Sequence, residues 1–518
     1  MKNLLKLTVL ASMVIIIMTF SACKTNSTGK SKELVQPNII YILADDLGYG
    51  ELGCYGQEKI ETPNIDQLAK EGMIFSQHYS GSAVCAPSRS VLLTGKHTGH
   101  TDIRNNNTWP SRGAVHDLFA MQEDSTLEGH LPMLDETETI ASILKRAGYK
   151  TGMAGKWGLG APHTNSIPTK RGFDYFIGYI CQRIAHTYYP PFIYENDKRL
   201  YLNNEAIPLG EKLPENLDPN DPKSYQRYAQ NDYAEDVMYA GMENFIVENK
   251  NEPFFFYWAS LIPHVALQVP QRWTDYYVEK FGDEEAYLGN KGYYPHRNPK
   301  AAYAGMVSYF DENVGKLVAK LKELGVYDNT LIIFSSDNGP TFNGGANSQW
   351  FESAGVLGSG NREIKGSFKE GGIRVPMIAS WPRKIKPGTS TNHVSAFWDV
   401  LPTLCEVAGE PIPEYTDGIS MLPTLTGSGK QKKHDVLYWE LGRKQAVRMG
   451  RWKGIRTNSN TELGKLELYD LQTDIAEKTN LAEKYPDIVV QIEKVMQEEH
   501  DAAAIVDFRQ SVLGDRMN

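Results

Sequence analysis

Short, nearly continuous apolar runs alternate with longer helical patterns along residues 36–409. Asn38-Ile39-Ile40-Tyr41-Ile42-Leu43 is the first such run, and similar ones recur at 151–154, 253–260 and 330–335. Runs of this kind predict strands buried on both faces, as in a parallel sheet. Between them, Ile140, Ile143, Leu144 and Ala147 share one helical face, which Gly148 closes. Tyr303, Met306, Val307, Phe310, Val314 and Leu317 begin a longer stripe that runs to Leu324 and stops at Gly325. Strand alternating with helix predicts an α/β domain, residues 36–410, with a mostly parallel central sheet flanked by helices. The texture changes at Glu410-Pro411-Ile412-Pro413. Short strand-like pieces follow at 436–440, 445–449 and 452–456, and a helical stretch at 486–499. They predict a smaller C-terminal α+β subdomain, residues 411–518, with an antiparallel sheet and a helix. The stretch 187–232, rich in Tyr, Pro and Asn, reads as an elaborated loop region near a site or equally as extended surface packing.

The N-terminus has a different character. Lys2 and Lys6 precede a mostly apolar run over residues 7–20, and the small residues Ser21-Ala22 lead to Cys23. The run is short for a membrane span and fits a signal peptide, residues 1–22. Small residues before a cysteine resemble a bacterial lipobox, which would make Cys23 the lipid-bearing first residue of the mature protein. Residues 23–35 then read as a polar tether. The expectation is an exported protein, lipid-anchored to a bacterial membrane and facing the periplasm or the cell surface.

Composition narrows the partners. The 518 residues carry a formal net charge of −9 and no long basic run, which argues against nucleic acid. The same charge repels anions, so any anion site must be a local cluster of cations. The cysteines at 23, 54, 85, 181 and 405 are odd in number and widely spaced, which fits neither a disulfide framework nor a zinc ribbon.

Polar groups follow the predicted strands directly: Asp45 and Asp46 after the first, Lys156 after 151–154, His264 after 253–260, Asp337 and Asn338 after 330–335. Ligands of open α/β sheets bind at the carboxyl ends of strands, so these groups predict one shared site. Asp45, Asp46, Asp337 and Asn338 offer only oxygen ligands, which suits calcium before magnesium and disfavours zinc. Each pair alone reads as well as a turn. Together, after two buried strands, they favour a metal site. Cys85 precedes Pro87 and the apolar Val91-Leu92-Leu93, which places it at a helix N-terminus, where backbone N–H groups favour anions. Arg89 lies one turn on, on the same face.

The run Cys85-Ala86-Pro87-Ser88-Arg89, with Leu93-Thr94-Gly95 downstream, resembles the signature of the formylglycine-dependent sulfatases. Further motifs of that family follow in order: 38–48, Gly155-Lys156-Trp157, Pro263-His264, Ser336-Asp337-Asn338-Gly339, Lys365-Gly366-Ser367, Glu370-Gly371-Gly372-Ile373-Arg374 and Leu468-Tyr469-Asp470-Leu471. The resemblance implies an alkaline phosphatase-like fold. It also implies conversion of Cys85 to formylglycine (3-oxoalanine) by a transiently bound maturation enzyme, and a calcium ion held by Asp45, Asp46, Asp337, Asn338 and the modified Cys85. Lys156 and Lys365 would clamp sulfate, Arg89 would orient the nucleophile, and His264 would protonate the leaving alcohol. The expected substrate is a sulfated glycan, of a galactose or N-acetylgalactosamine type.

The chain departs from the family at Gly158, where a histidine usually stands. His97, beside Lys96, or His186, beside Gln182, is a candidate replacement, and Arg374 is a further auxiliary position. Two other functions stay open: a phosphonate or phosphate ester hydrolase of the same superfamily, and a non-catalytic glycan-binding lipoprotein.

Overall fold

The buried strand over 38–43 extends as β1 (Asn38–Ala44), every residue of which is buried. In the computed structural model, which describes residues 36–517 except 359, 361 and 362, it is the middle of a large sheet. The expected signal peptide, the tether and Cys23 lie outside the described residues. β1 pairs in parallel with β7 (Phe254–Ala259) on one side and β8 (Thr330–Ser336) on the other. β3 (Lys150–Lys156) and β4 (Tyr175–Tyr179) continue the parallel order beyond β7. The order β8-β1-β7-β3-β4 therefore sets the carboxyl ends of adjacent strands along one edge.

Antiparallel strands complete both flanks. β9 (Arg374–Ser380) joins β8 to β2 (Met73–Tyr79), and β5 (Phe192–Glu195) with β6 (Lys198–Tyr201) form a hairpin beyond β4. That hairpin falls within 187–232, so part of this loop-rich stretch is sheet edge. β10 (Thr389–Thr391) and β11 (Ser395–Ala396) pair with β2.

Helices cover both faces of the sheet. On one face the long stripe becomes α6 (Pro299–Glu323), whose Phe310 meets Trp258 of β7 at 5.1 Å and Phe334 of β8 at 5.8 Å. On the same face, α4 (Ala234–Asn249) sets Phe245 against Phe256 at 5.2 Å. On the other, α2 (Cys85–Thr94), α3 (Ile140–Arg146) and α7 (Val400–Ala408) pack together, and Phe173 stacks on Phe255 and Tyr257. α3 carries a capping box between Thr139 and Ser142 and stops at Gly148, whose φ of +90° suits glycine. α1 (Pro63–Lys70) and α5 (Gln271–Phe281) pack against α6. No described helix is long and apolar enough to cross a membrane.

The C-terminal part is an antiparallel meander: β12 (Val436–Leu441), β13 (Lys444–Met449), β14 (Trp452–Thr457) and β15 (Leu466–Asp470), with α8 (Pro486–Glu498) against it. It belongs to the same compact unit as the large sheet, residues 37–518. Polar joints hold the two sheets. Trp439 Nε1 donates to the Ser80 carbonyl at 3.0 Å. Lys453 of β14, fully buried, reaches Glu370 at 2.8 Å and Glu477 at 3.1 Å.

A buried ammonium between two carboxylates is costly to unpair. Lys453→Ala is expected to destabilise the protein by about 3–5 kcal/mol in denaturant unfolding. Lys453→Arg, which keeps the charge, is expected to lose less.

Candidate active site

The four neighbouring strands β8, β1, β7 and β3 deliver the predicted polar residues to one place. Asp45 and Asp46 leave β1, Asp337 and Asn338 leave β8, His264 follows β7, and Lys156 ends β3. Asp46 turns the chain at φ +67°, a sparsely occupied conformation for a residue with a side chain. Its N–H donates to Asp337 Oδ1 at 3.1 Å, and Asn338 Nδ2 donates to Asp46 Oδ1 at 2.7 Å. These contacts lock the two turns together.

Cys85 enters as the first residue of α2. Its thiol donates to Asp45 Oδ1 at 3.3 Å, and Lys365 Nζ lies 3.6 Å from the sulfur. Cations frame the carboxylates. Lys156 Nζ meets Asp45 at 2.6 Å and Lys365 Nζ meets Asp46 at 2.6 Å. Arg89 donates through Nε to Asp337 at 3.0 Å, through a terminal nitrogen to the Lys156 carbonyl at 2.7 Å, and sits 3.3 Å from Asp45. At the start of α2, Ala86 N–H donates to Asn106 Oδ1 at 2.8 Å, a contact no motif announced.

Charge sets the protonation states. Burial would raise the Asp45 carboxyl, but Lys156, His264, Arg89 and Lys365 outweigh it and hold the group ionised. Burial and the Asp45 charge push Asp337 the other way, to about 7. Burial and Asp45 also push the Cys85 thiol far up, against the pull of Lys156 and Lys365. A protonated thiol is a poor nucleophile, so this environment does not activate Cys85 as a cysteine. Burial, then Lys365, lowers His264 to about 4. Its Nδ1 faces the Val265 carbonyl, which assigns that nitrogen the proton and leaves Nε2, 3.8 Å from Asp46, as the titrating atom.

The donor set fits a hard divalent cation. Asp45, Asp46 and Asp337 are fully buried with ligand atoms converging, and the buried Asn338 Oδ1 has no hydrogen-bond partner. Oxygen donors and an orphaned carbonyl suit calcium.

The auxiliary candidates separate. His186 stacks on His264 at 5.5 Å, so it adjoins the site. Gln182 packs against Gly158: a Cβ on that glycine would lie 2.5 Å from Gln182 Cγ. Gly158 has φ +72°, so both backbone and neighbour exclude a larger side chain. His97, by contrast, bonds Glu499 at 3.0 Å and meets the tilted ring of His100 at 4.1 Å, and Lys96 lies over the Tyr415 ring. Those partners lie toward the C-terminal helix, so His97 does not take the place of a histidine at 158. Arg374 pairs with Glu370 and the Ser76 carbonyl in the joint between the sheets. Tyr293, unmarked in the sequence, meets His186 at 4.9 Å and His264 at 5.6 Å, and Lys365 and Asp46 act on its hydroxyl.

The sulfatase family model matches residues 37–410, and a model of the N-sulphoglucosamine sulphohydrolase C-terminal region matches residues 365–502. The chain belongs to the sulfatase family. This sulfatase is 34% identical to human arylsulfatase A over 436 residues, which covers 80% of the chain and 74% of that relative. It is 29% identical to an N-acetylgalactosamine-6-O-sulfatase of Bacteroides thetaiotaomicron, over 89% of the chain and 93% of that relative. The solved structure of i-CgsB in complex with a neocarrahexaose aligns with TM-score 0.69 and 27% identity, over 90% and 94% of the two chains. The fold is alkaline phosphatase-like, and the family's members are sulfuric ester hydrolases.

The packing of Gln182 on Gly158 yields a test. Gly158→Ala is expected to cost about 1–2 kcal/mol from the left-handed backbone, and more from the contact with Gln182. Gly158→Ala combined with Gln182→Ala is expected to cost less than the sum of the two single changes in thermal unfolding, as coupled neighbours do.

Proposed function

We propose that this sulfatase removes O-sulfate from a sulfated glycan of the galactose or N-acetylgalactosamine type, with a nucleophile made from Cys85. The observation that carries the reading is the position of Cys85 at a helix start, within reach of Asp45 and Lys365. The buried, protonated thiol makes sense as a precursor. Conversion to formylglycine by a separate maturation enzyme, followed by hydration, supplies two hydroxyls on one carbon: one attacks sulfur, and deprotonation of the other releases sulfate. A thiol has no second hydroxyl to do this.

Asp45, Asp46, Asp337 and Asn338 would hold calcium, which would offset the carboxylate charge and polarise a sulfate oxygen. Lys156 and Lys365 hold their ammonium groups against Asp45 and Asp46, the carboxylates beside Cys85, and would bind sulfate oxygens. Arg89, tied to Asp337 and to the Lys156 carbonyl, holds the first turn of α2 in register with the metal carboxylates. His264 Nε2 is the titrating atom beside the site; it gives a proton to the departing alcohol only once it is protonated, a form that the negative charge of a bound sulfate would favour. Two similarities support a glycan substrate: one to an enzyme named N-acetylgalactosamine-6-O-sulfatase, the other to a structure holding a neocarrahexaose. The N-terminal segment supports export with a lipid anchor at Cys23.

The deciding experiment incubates protein matured with a formylglycine-generating enzyme with sulfated galactose and N-acetylgalactosamine oligosaccharides, and quantifies sulfate. Release that Cys85→Ala abolishes is expected. Absence of release from every sulfated glycan, or faster turnover of 4-nitrophenyl phosphonates than of any sulfate, would overturn the reading. His264→Ala is expected to slow sugar desulfation about 10²–10⁴-fold. It should slow 4-nitrophenyl sulfate far less, because nitrophenolate leaves without an acid. Chelation is expected to lower the unfolding temperature, and calcium to restore it in the wild type but not in Asp45→Asn.

A further inference from the structure

Two chain segments meet over the turn that carries Lys156 toward Gly160. In the first, His130 N–H donates to the Gly160 carbonyl at 3.0 Å. In the second, Gln182 packs on Gly158, and Arg183 is its neighbour in the chain. His130 is only 3% exposed, and its Nδ1 is buried with no hydrogen-bond partner. Arg183 Nε is in the same state. Buried donors without partners are uncommon and call for an explanation.

The charges around them share one sign. Lys156, Arg183 and His116 act on His130, and Arg183 acts on His116. Arg183 also acts on His186, which stacks on His264. The nearby carboxylates are committed elsewhere. Asp117 caps the helix Leu118–Glu123 through the Phe119 and Ala120 N–H groups, and Glu128 pairs with Arg199 at 2.6 Å through Oε1, its buried Oε2 having no hydrogen-bond partner. No described carboxylate forms an ion pair with Arg183, His130 or His116. His116 is exposed and, with Asp117, lines an open cleft of about 540 Å³, so the cluster meets solvent at His116. In a protein of net charge −9, cations gathered with unpartnered polar atoms and no ion-paired carboxylate match an anionic ligand.

We infer that Arg183, with His130 and His116, forms a second anion subsite beside Lys156, which takes a further sulfate or carboxylate of the glycan. The inference rests on the sulfatase reading and sharpens it. The preferred substrate carries two anionic groups, one over Cys85 and one over Arg183. Arg183 is the specificity residue, since its guanidinium holds its charge at any working pH and can bind either anion with two parallel hydrogen bonds. His130, held neutral by burial and the cations around it, adds a donor without adding charge.

The test is calorimetry on Cys85→Ala protein, which needs no maturation and cannot turn over. Three ligands are compared: a monosulfated N-acetylgalactosamine disaccharide with a neutral neighbour, the same disaccharide with a second sulfate, and the same with a uronate neighbour. The Cys85→Ala protein is expected to bind at least one dianionic ligand more tightly than the monosulfated one. Adding Arg183→Gln is expected to weaken that ligand about tenfold or more, the scale of a charged hydrogen bond. It should leave the monosulfated ligand within about twofold, and Arg183→Lys should recover part of the loss. The dianionic ligand that loses affinity tells sulfate from carboxylate. Equal binding of all three ligands, or an equal loss on all three with Arg183→Gln, overturns the subsite. Selective binding by a matured wild type that releases no sulfate would sink the sulfatase reading and leave the subsite standing.

Discussion

Three buried carboxylates, Asp45, Asp46 and Asp337, meet at the ends of two adjacent strands, and the rest of the site is arranged around that repulsion. Such a cluster is unstable without compensation. Arg89, Lys156 and Lys365 supply it at 2.6–3.3 Å. Each cation comes from a different part of the chain, so the charge balance also joins α2, β3 and the segment before β9. The same cations are the groups an anionic substrate needs. Charge balance and substrate attraction are therefore one arrangement.

This explains why the protein can be acidic and still receive an anion. The net charge belongs to the whole chain, whereas Arg89 and Lys156 are buried, and Lys365 half-buried, beside Cys85. Field lines in a low-dielectric cleft follow the nearest charges. The cations around Arg183 and His130 extend the positive region away from Cys85 on the Lys156 side. Tyr293, His186 and His264 form a group of rings on which both Lys365 and Lys156 act.

Gly158 shows how a family difference is absorbed. The left-handed backbone and the Gln182 side chain leave no room for an imidazole at this position. His186 lies beside His264 instead, from a separate segment. Naming both His97 and His186 as candidates was as far as residue spacing could go. His97 is drawn to Glu499, 402 positions away, and nothing local to it reveals that.

The strands, the long helices and the strand-end ligands were legible in the sequence because they are local. A strand buried on both faces must be apolar, a helix must repeat its apolar face, and the groups just past a strand must lie at the sheet edge. The Cys85 motif and the metal pairs are likewise contiguous runs. Tertiary structure alone decided which strands are neighbours, and so that Asp45, Asp337, His264 and Lys156 share one edge. It also placed Arg374 in the joint between the sheets, drew His97 to Glu499, brought Tyr293 to His264, and brought the charge of Arg183 to bear on His130. These depend on contacts between residues far apart in the chain, and the pattern of a segment holds no information about its distant partner.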